Sequence, residues 1–293
     1  MDKEVKISAL QLALMMYPTV LATGFLSLPT ISAQFANNDL WLTPIFASLS
    51  GLLAIFLATR LHRLYPGQTI VEYSRSIAGA IPGTLFGCFY LLSVLQDTGL
   101  MIRQYAEFVT GAFLFKTPML LVISSLMLLS AIAVRGGVEL LARCAVIFTP
   151  LFCLPLFFLL LLIPELHAQY LLPVLERGIV PVLQGSATPQ AWFSELFIMS
   201  FFLPRLADPD KAGKWGAISL TAVILSLLYI DFIALLLLGP DLSNKIYPVL
   251  VAFRYISLAD FFENLEAMLL AIWVVGNFVK ISVFLYVAVV TLS

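Results

Sequence analysis

Several side chains that can carry charge or donate hydrogen bonds stand inside otherwise apolar runs. Gln96, Asp97, Arg103 and Glu107 share one run; Glu195 lies in a second, Asp231 in a third, Asn277 and Lys280 in a fourth. A charge in such a run is costly unless it faces protein, water or a partner, so each of these residues needs a role. Arg103 and Glu107 are four apart and pair across one helical turn, which is a structural role. Asp97 has no such partner, because Arg103 is six residues on and roughly on the opposite side of the helix. Its partner is a ligand ammonium, a proton or Lys280, or it forms a structural pair with another span. Asn277 and Lys280 are three apart and share a face. A lysine there can replace a coupling cation, exchange a proton, or bond to carbonyls of a neighbouring span. Glu195 either receives or gates a ligand, or faces water at the interface. Asp231, nearer the outer end of its run, reads as structural.

A second kind of chemistry comes from interrupted backbone. The first apolar run contains "TGFLSLPT", residues 23–30. Proline removes a backbone donor and clashes with the preceding turn, and glycine adds freedom. Together they predict a break in the helix at 23–28. Backbone groups freed at that depth must meet protein, water or ligand. A matching segment, "SFFLP" at 200–204, resembles "GFLSLP" at 24–29 and predicts a second break at about 196–204. Half-helix ends expose donors at one pole and carbonyls at the other, which suits a zwitterionic amino acid. The expected ligand-binding residues are therefore Thr23, Gly24, Phe25, Leu26, Ser27, Asp97, Glu195, Met199, Ser200, Asn277 and Lys280.

The elements that must position these residues are membrane spans. Of 293 residues, 61% are hydrophobic and only 11% charged, against about 25% charged in a soluble domain. Runs of about 20 apolar residues cross a bilayer. Eight spans are predicted, at 8–36, 41–61, 83–114, 118–134, 138–163, 189–204, 214–238 and 263–290. Residues 67–80 are too polar to span and carry apolar side chains at helical spacing, so a short interfacial helix is expected there. Another short surface segment is expected at 240–260. Glu263 and Glu266 open the last span, where acidic residues suit the helix dipole or contact a partner. Trp41, Trp192 and Trp215 read as interface anchors and Trp273 as a core residue.

Five spans separate the two predicted breaks, so the second unit enters the membrane from the opposite side. That is the requirement for an inverted repeat, a common source of transporter-type binding sites. The chain divides into a first five-span repeat (1–163), an external connection (164–188) and a second repeat holding spans six to eight (189–293). The last span has no polar flank after Lys280, and a chain with two further spans is expected. With the N-terminus in the cytoplasm, ten basic residues (Lys3, Lys6, Arg60, Arg63, Arg75, Arg135, Arg143, Arg205, Lys211 and Lys214) lie inside and four (Lys116, Arg177, Lys245 and Arg254) outside, following the positive-inside rule.

Other classes find little support. The net charge of −1 gives no basic footprint for nucleic acid. Cys88, Cys144 and Cys153 are odd in number, with no metal-type spacing. His62 and His167 fall on opposite sides, so no metal pair forms. No catalytic set, phosphate loop or cofactor motif is present, and no enzyme activity or cofactor is expected.

The motifs "GFLSLP", "TIVEYSRSIAGAIPG" (69–83), "RQYAEFV" (103–109), "SFFLP" and "FFENLEAMLLAIWVVGNFVKISVFLY" (261–286) together resemble the spore germination receptor B subunit. That family lies within the amino acid–polyamine–organocation transporter superfamily. The resemblance covers nearly the whole chain. It implies an all-α membrane protein with a leucine-transporter-like inverted repeat of five plus five spans, about eight of them here, and discontinuous spans 1 and 6. It implies a multi-pass protein of the spore inner membrane, partnered by A and C receptor subunits in the lipid bilayer. It implies a small-molecule germinant, an amino acid above all, that triggers germination. The alternative is a proton- or cation-coupled amino acid permease with the same pocket. Asp97 and Lys280 are not charges expected throughout the family, and at the pocket they would tune ligand choice.

Overall fold

The computed structural model describes residues 6–256 and 265–292. Among the described residues ten α-helices run in order: α1 (Ala9–Ala36), α2 (Thr43–Leu64), α3 (Ile70–Ala78), α4 (Ala80–Ala112), α5 (Met119–Arg135), α6 (Gly137–Phe158), α7 (Val180–Ser194), α8 (Ala212–Leu238), α9 (Pro248–Tyr255) and α10 (Leu265–Leu292). Short 3₁₀ segments connect several of them, and the described residues hold one isolated backbone bridge and no sheet. The protein is an all-α, multi-pass membrane protein. Among the described residues, five stretches are long and apolar enough to cross a bilayer, and Ala9–Leu64 contains two helices. The apolar α5, at 17 residues, is shorter. Each predicted span falls on one of these helices or on α7 with its 3₁₀ continuation. α3 is a short helix where the interfacial helix is expected; the stretch expected at the surface instead holds α9, whose Pro248, Val249, Leu250, Ala252 and Phe253 are buried.

α1 is the centre of the bundle, packed by α6, α7, α8 and α10. It starts at a capping box: the Gln11 amide N–H donates to Ser8 Oγ at 3.2 Å and the Ser8 N–H donates to Gln11 Oε1 at 2.8 Å. From there it is one uninterrupted helix through Thr23–Pro29, with Pro18 and Pro29 inside it. The predicted break at 23–28 is therefore absent, and span 1 is continuous. A tertiary contact supplies what Pro18 removes. Pro18 has no N–H to give the Leu14 carbonyl four residues back, and the Thr149 hydroxyl on α6 fills that place at 2.7 Å. Hydroxyls from neighbouring helices commonly satisfy such freed groups at membrane depth. Gly24 sits in a packed helical turn, where an added Cβ would lie 3.0 Å from Leu28 and 3.6 Å from Trp192.

The sixth span does change character. α7 ends at Ser194, and the backbone continues as 3₁₀ turns over Glu195–Phe201 and Leu203–Arg205. α7 also begins at Val180, within the stretch expected to be a connection. It runs antiparallel to α1. Near its start, a Cβ on Gly185 would lie 3.2 Å from the Ser32 carbonyl oxygen and 3.3 Å from Ala36. At the far end the Ile7 N–H donates to the Arg205 carbonyl and the Ala207 N–H to the Ile7 carbonyl, each at 2.9 Å. Asp208 then caps α1, accepting from the Ala9 N–H at 3.0 Å.

α3 has its own capping box, with the Thr69 N–H donating to Glu72 Oε2 at 2.6 Å. It lies close on α4. A Cβ on Gly83 would stand 2.5 Å from the Arg75 Cα, so glycine is what permits this approach. Glu263 lies outside the described residues; Glu266 pairs with Arg254 of α9. Exposed leucines and phenylalanines on α2 and α4, such as Leu52, Phe56, Leu85 and Phe89, are the surface expected against acyl chains.

Candidate ligand cavity

α1, α2, α4, α10 (through Phe284) and the end of α7 converge on one cavity of about 1120 Å³. α1 presents Thr23 and Ser27, one turn apart on a single face. α4 presents Tyr90, Asp97 and Gln104, separated by seven residues each and so also on one face. The end of α7 and the start of the 3₁₀ turns present Trp192 and Glu195. Ser50 and Leu53 of α2 complete the wall.

Behind that wall stands Lys280 of α10, fully buried. Its ammonium donates to Glu195 Oε2 and to Thr23 Oγ1, each at 2.8 Å. Glu195 keeps 15% of its side chain accessible, so one carboxylate faces both the lysine and the cavity. Thr23 Oγ1 also accepts from the Trp192 indole N–H at 2.9 Å. The change from α to 3₁₀ at Glu195 thus coincides with the point where this segment is bonded to α10 and, through Trp192, to α1. On the other flank the Gln104 amide donates to Ser27 Oγ at 3.3 Å. Asp97 lines the cavity and makes no ion pair among the described residues. Lys280, open as its partner from sequence, is committed to Glu195. Arg103 and Glu107 do pair, at 2.8 Å, on the exposed rim.

Of the eleven sequence-derived candidates, Thr23, Ser27, Asp97 and Glu195 line this cavity, and Lys280 supports it from behind. The rest are buried elsewhere. Gly24 packs under Leu28 and Trp192. Phe25 meets Phe152 edge-on at 5.9 Å. Leu26 is core. Met199 lies toward α8, where a Cβ on Gly216 would be 3.4 Å from its methyl. Ser200 is buried without a hydrogen-bond partner among the described residues. Asn277 donates back to the Trp273 carbonyl at 3.0 Å. Gly24, Phe25 and Leu26 were expected from a break in α1, Met199 and Ser200 from the break in span six, and Asn277 from its spacing to Lys280; with α1 continuous, no frayed end exists there to draw the first three in.

Trp192 and Gln104 are among the cavity residues that sequence reasoning missed. Trp192 reads as an interface anchor by its place near a span end, yet it stands three residues before Glu195, on the same helical face. Gln104 stands seven residues beyond Asp97, a spacing that marks a shared face. Trp273, expected in the core, also donates to the Ala22 carbonyl at 2.5 Å, one residue before Thr23.

The spore permease family, described as "Spore germination protein", matches residues 6–293. Three proteins of Bacillus subtilis (strain 168) are similar over most of the chain. Spore germination protein KB is 28% identical over 99% of this chain and 79% of its own length. Putative spore germination protein YfkT is 29% identical over 93% of this chain and 75% of its own. Spore germination protein YndE is 27% identical over 97% and 79%. A continuous match of this extent places the chain in the spore germination protein family of spore permeases.

Proposed function

We propose that the protein is the membrane subunit of a spore nutrient-germinant receptor and that it binds a small amino-acid-like germinant in the cavity between α1, α4 and the end of α7. One observation carries this reading: Asp97, Glu195 and the Thr23 hydroxyl share one cavity inside the span region. Carboxylates suit a ligand ammonium, and the Thr23 hydroxyl with the Gln104 amide suits a ligand carboxylate. The names of the similar proteins support a role in germination. The antiparallel course of α1 and residues 180–205 supports a leucine-transporter-like inverted repeat, with residues 1–163 as one unit and 189–293 within the next. Binding shifts the population of a signalling state, as a receptor requires. The natural setting is the spore inner membrane with the N-terminus cytoplasmic, in complex with A and C receptor subunits.

The test is germination of spores lacking this subunit, scored against a nutrient panel. Loss of response to a defined amino acid, restored by the wild-type chain, is expected. An unchanged response to every nutrient overturns the proposal. The buried Lys280–Glu195 pair beside the cavity favours a second reading, a proton- or cation-coupled amino acid permease, because a proton or cation can replace one partner. Sustained uptake of labelled amino acid by proteoliposomes, abolished by Asp97→Asn, would establish the permease; binding without uptake would establish the receptor.

A further inference from the structure

We propose that the cavity selects a ligand of net positive charge, a basic amino acid or another organic amine, over a neutral zwitterion. The proposal rests on the amino-acid cavity described above and narrows it. The charged residues on the cavity wall are Asp97, Glu195, Arg103 and Glu107. Arg103 and Glu107 are bonded to each other. Lys280, directly behind the wall, balances Glu195. Asp97 remains, so the lining carries one carboxylate in excess.

A neutral amino acid brings equal positive and negative charge to this surface and leaves its net excess of one carboxylate in place. The Lys280 ammonium is fully buried and already donates to both Glu195 and Thr23. Arg103 is engaged by Glu107 and lies six residues beyond Asp97, roughly 9 Å along the helix. The ligand carboxylate is left to neutral donors. Thr23 Oγ1 accepts from both Trp192 and Lys280, so its own hydrogen is free to be given. Gln104 adds its amide. A second ammonium on the ligand removes the remaining imbalance by meeting Asp97. Asp97 is exposed on the cavity side of α4 and makes no ion pair among the described residues, so a ligand ammonium there meets its carboxylate directly, and this match separates ligands of similar size. The volume, about 1120 Å³, also leaves room for an extended amine-bearing side chain, since pockets for much larger ligands fall at roughly 300–1,000 Å³.

The experiment is calorimetric titration of the purified full chain in detergent with L-lysine, L-ornithine, spermidine, L-alanine and L-glutamate at matched ionic strength. The amines should bind at least about tenfold more tightly than alanine. Asp97→Asn should bring lysine and alanine within about threefold of each other, and Asp97→Glu should keep the preference for lysine. Both variants are compared with wild type by thermal melting, so that loss of fold is separated from loss of preference. Alanine or glutamate binding as tightly as lysine overturns the charge selection but leaves the cavity reading standing. A preference for lysine that survives Asp97→Asn overturns the role given to Asp97. Binding of none of the five ligands overturns the cavity reading itself, and the selection with it.

Discussion

Lys280, in the middle of α10, holds Glu195, the first residue beyond the α-helical part of α7, at 2.8 Å and out of contact with bulk water on the lysine side. The two residues are 85 apart in sequence. Their bond lies behind the cavity wall, at the place where α geometry gives way to 3₁₀.

Removing one partner leaves the other buried and unpaired. Lys280→Met alone should destabilise the protein by roughly 3–5 kcal/mol. Lys280→Met with Glu195→Gln should cost much less than the sum of the two single changes. Melting of the three variants in detergent measures this coupling. Additive losses would show that the pair is not energetically linked.

Thr149 is expected to matter because of Pro18. Thr149→Val leaves the Leu14 carbonyl without its donor and should cost about 1–3 kcal/mol. In a Pro18→Ala background residue 18 regains its own N–H, and the same change at Thr149 should cost markedly less. Equal costs in both backgrounds would disprove the compensation.

Two glycines should respond in opposite ways to a methyl group. At Gly24 the new Cβ meets the flexible end of Leu28 at 3.0 Å, and alanine favours helix by up to about 1 kcal/mol. Gly24→Ala is expected to melt within about 1 kcal/mol of wild type. At Gly276 the Cβ would stand 2.3 Å from the Phe152 ring, and overpacking should cost about 1–3 kcal/mol. A severe loss at Gly24 would restore the idea of a broken first span.

Trp192→Phe keeps most of the ring and deletes the N–H that meets Thr23. Protein abundance should stay normal, with a stability loss near 1 kcal/mol. The nutrient concentration for half-maximal germination should rise several-fold, because the cavity wall loses a fixed partner. Unchanged dose dependence would remove Trp192 from the site.

The helices were legible because a bilayer demands little more than apolar length, and each predicted span lands on an observed helix or on α7 with its 3₁₀ turns. The state of α1 was not legible. Gly24 and Pro29 are local signals of interruption, whereas Thr149 on α6 and the packing by α7 and α10 act across the fold. The site was readable in part for the same reason. Charge inside an apolar run exposes Asp97, Glu195 and Lys280 to notice, but which of the two carboxylates the lysine chooses depends on how α10 lies against α7. Trp192 went unnoticed because an indole near a span end has an ordinary explanation.

The lacing of Ile7 to Arg205 and Ala207, with Asp208 over the Ala9 amide, sets a mechanical condition. The head of the central strut and the tail of its antiparallel neighbour are tied into one knot at the same membrane face. A swing of either strut there must carry the other with it or untie three hydrogen bonds, so any motion at that end is a motion of the pair.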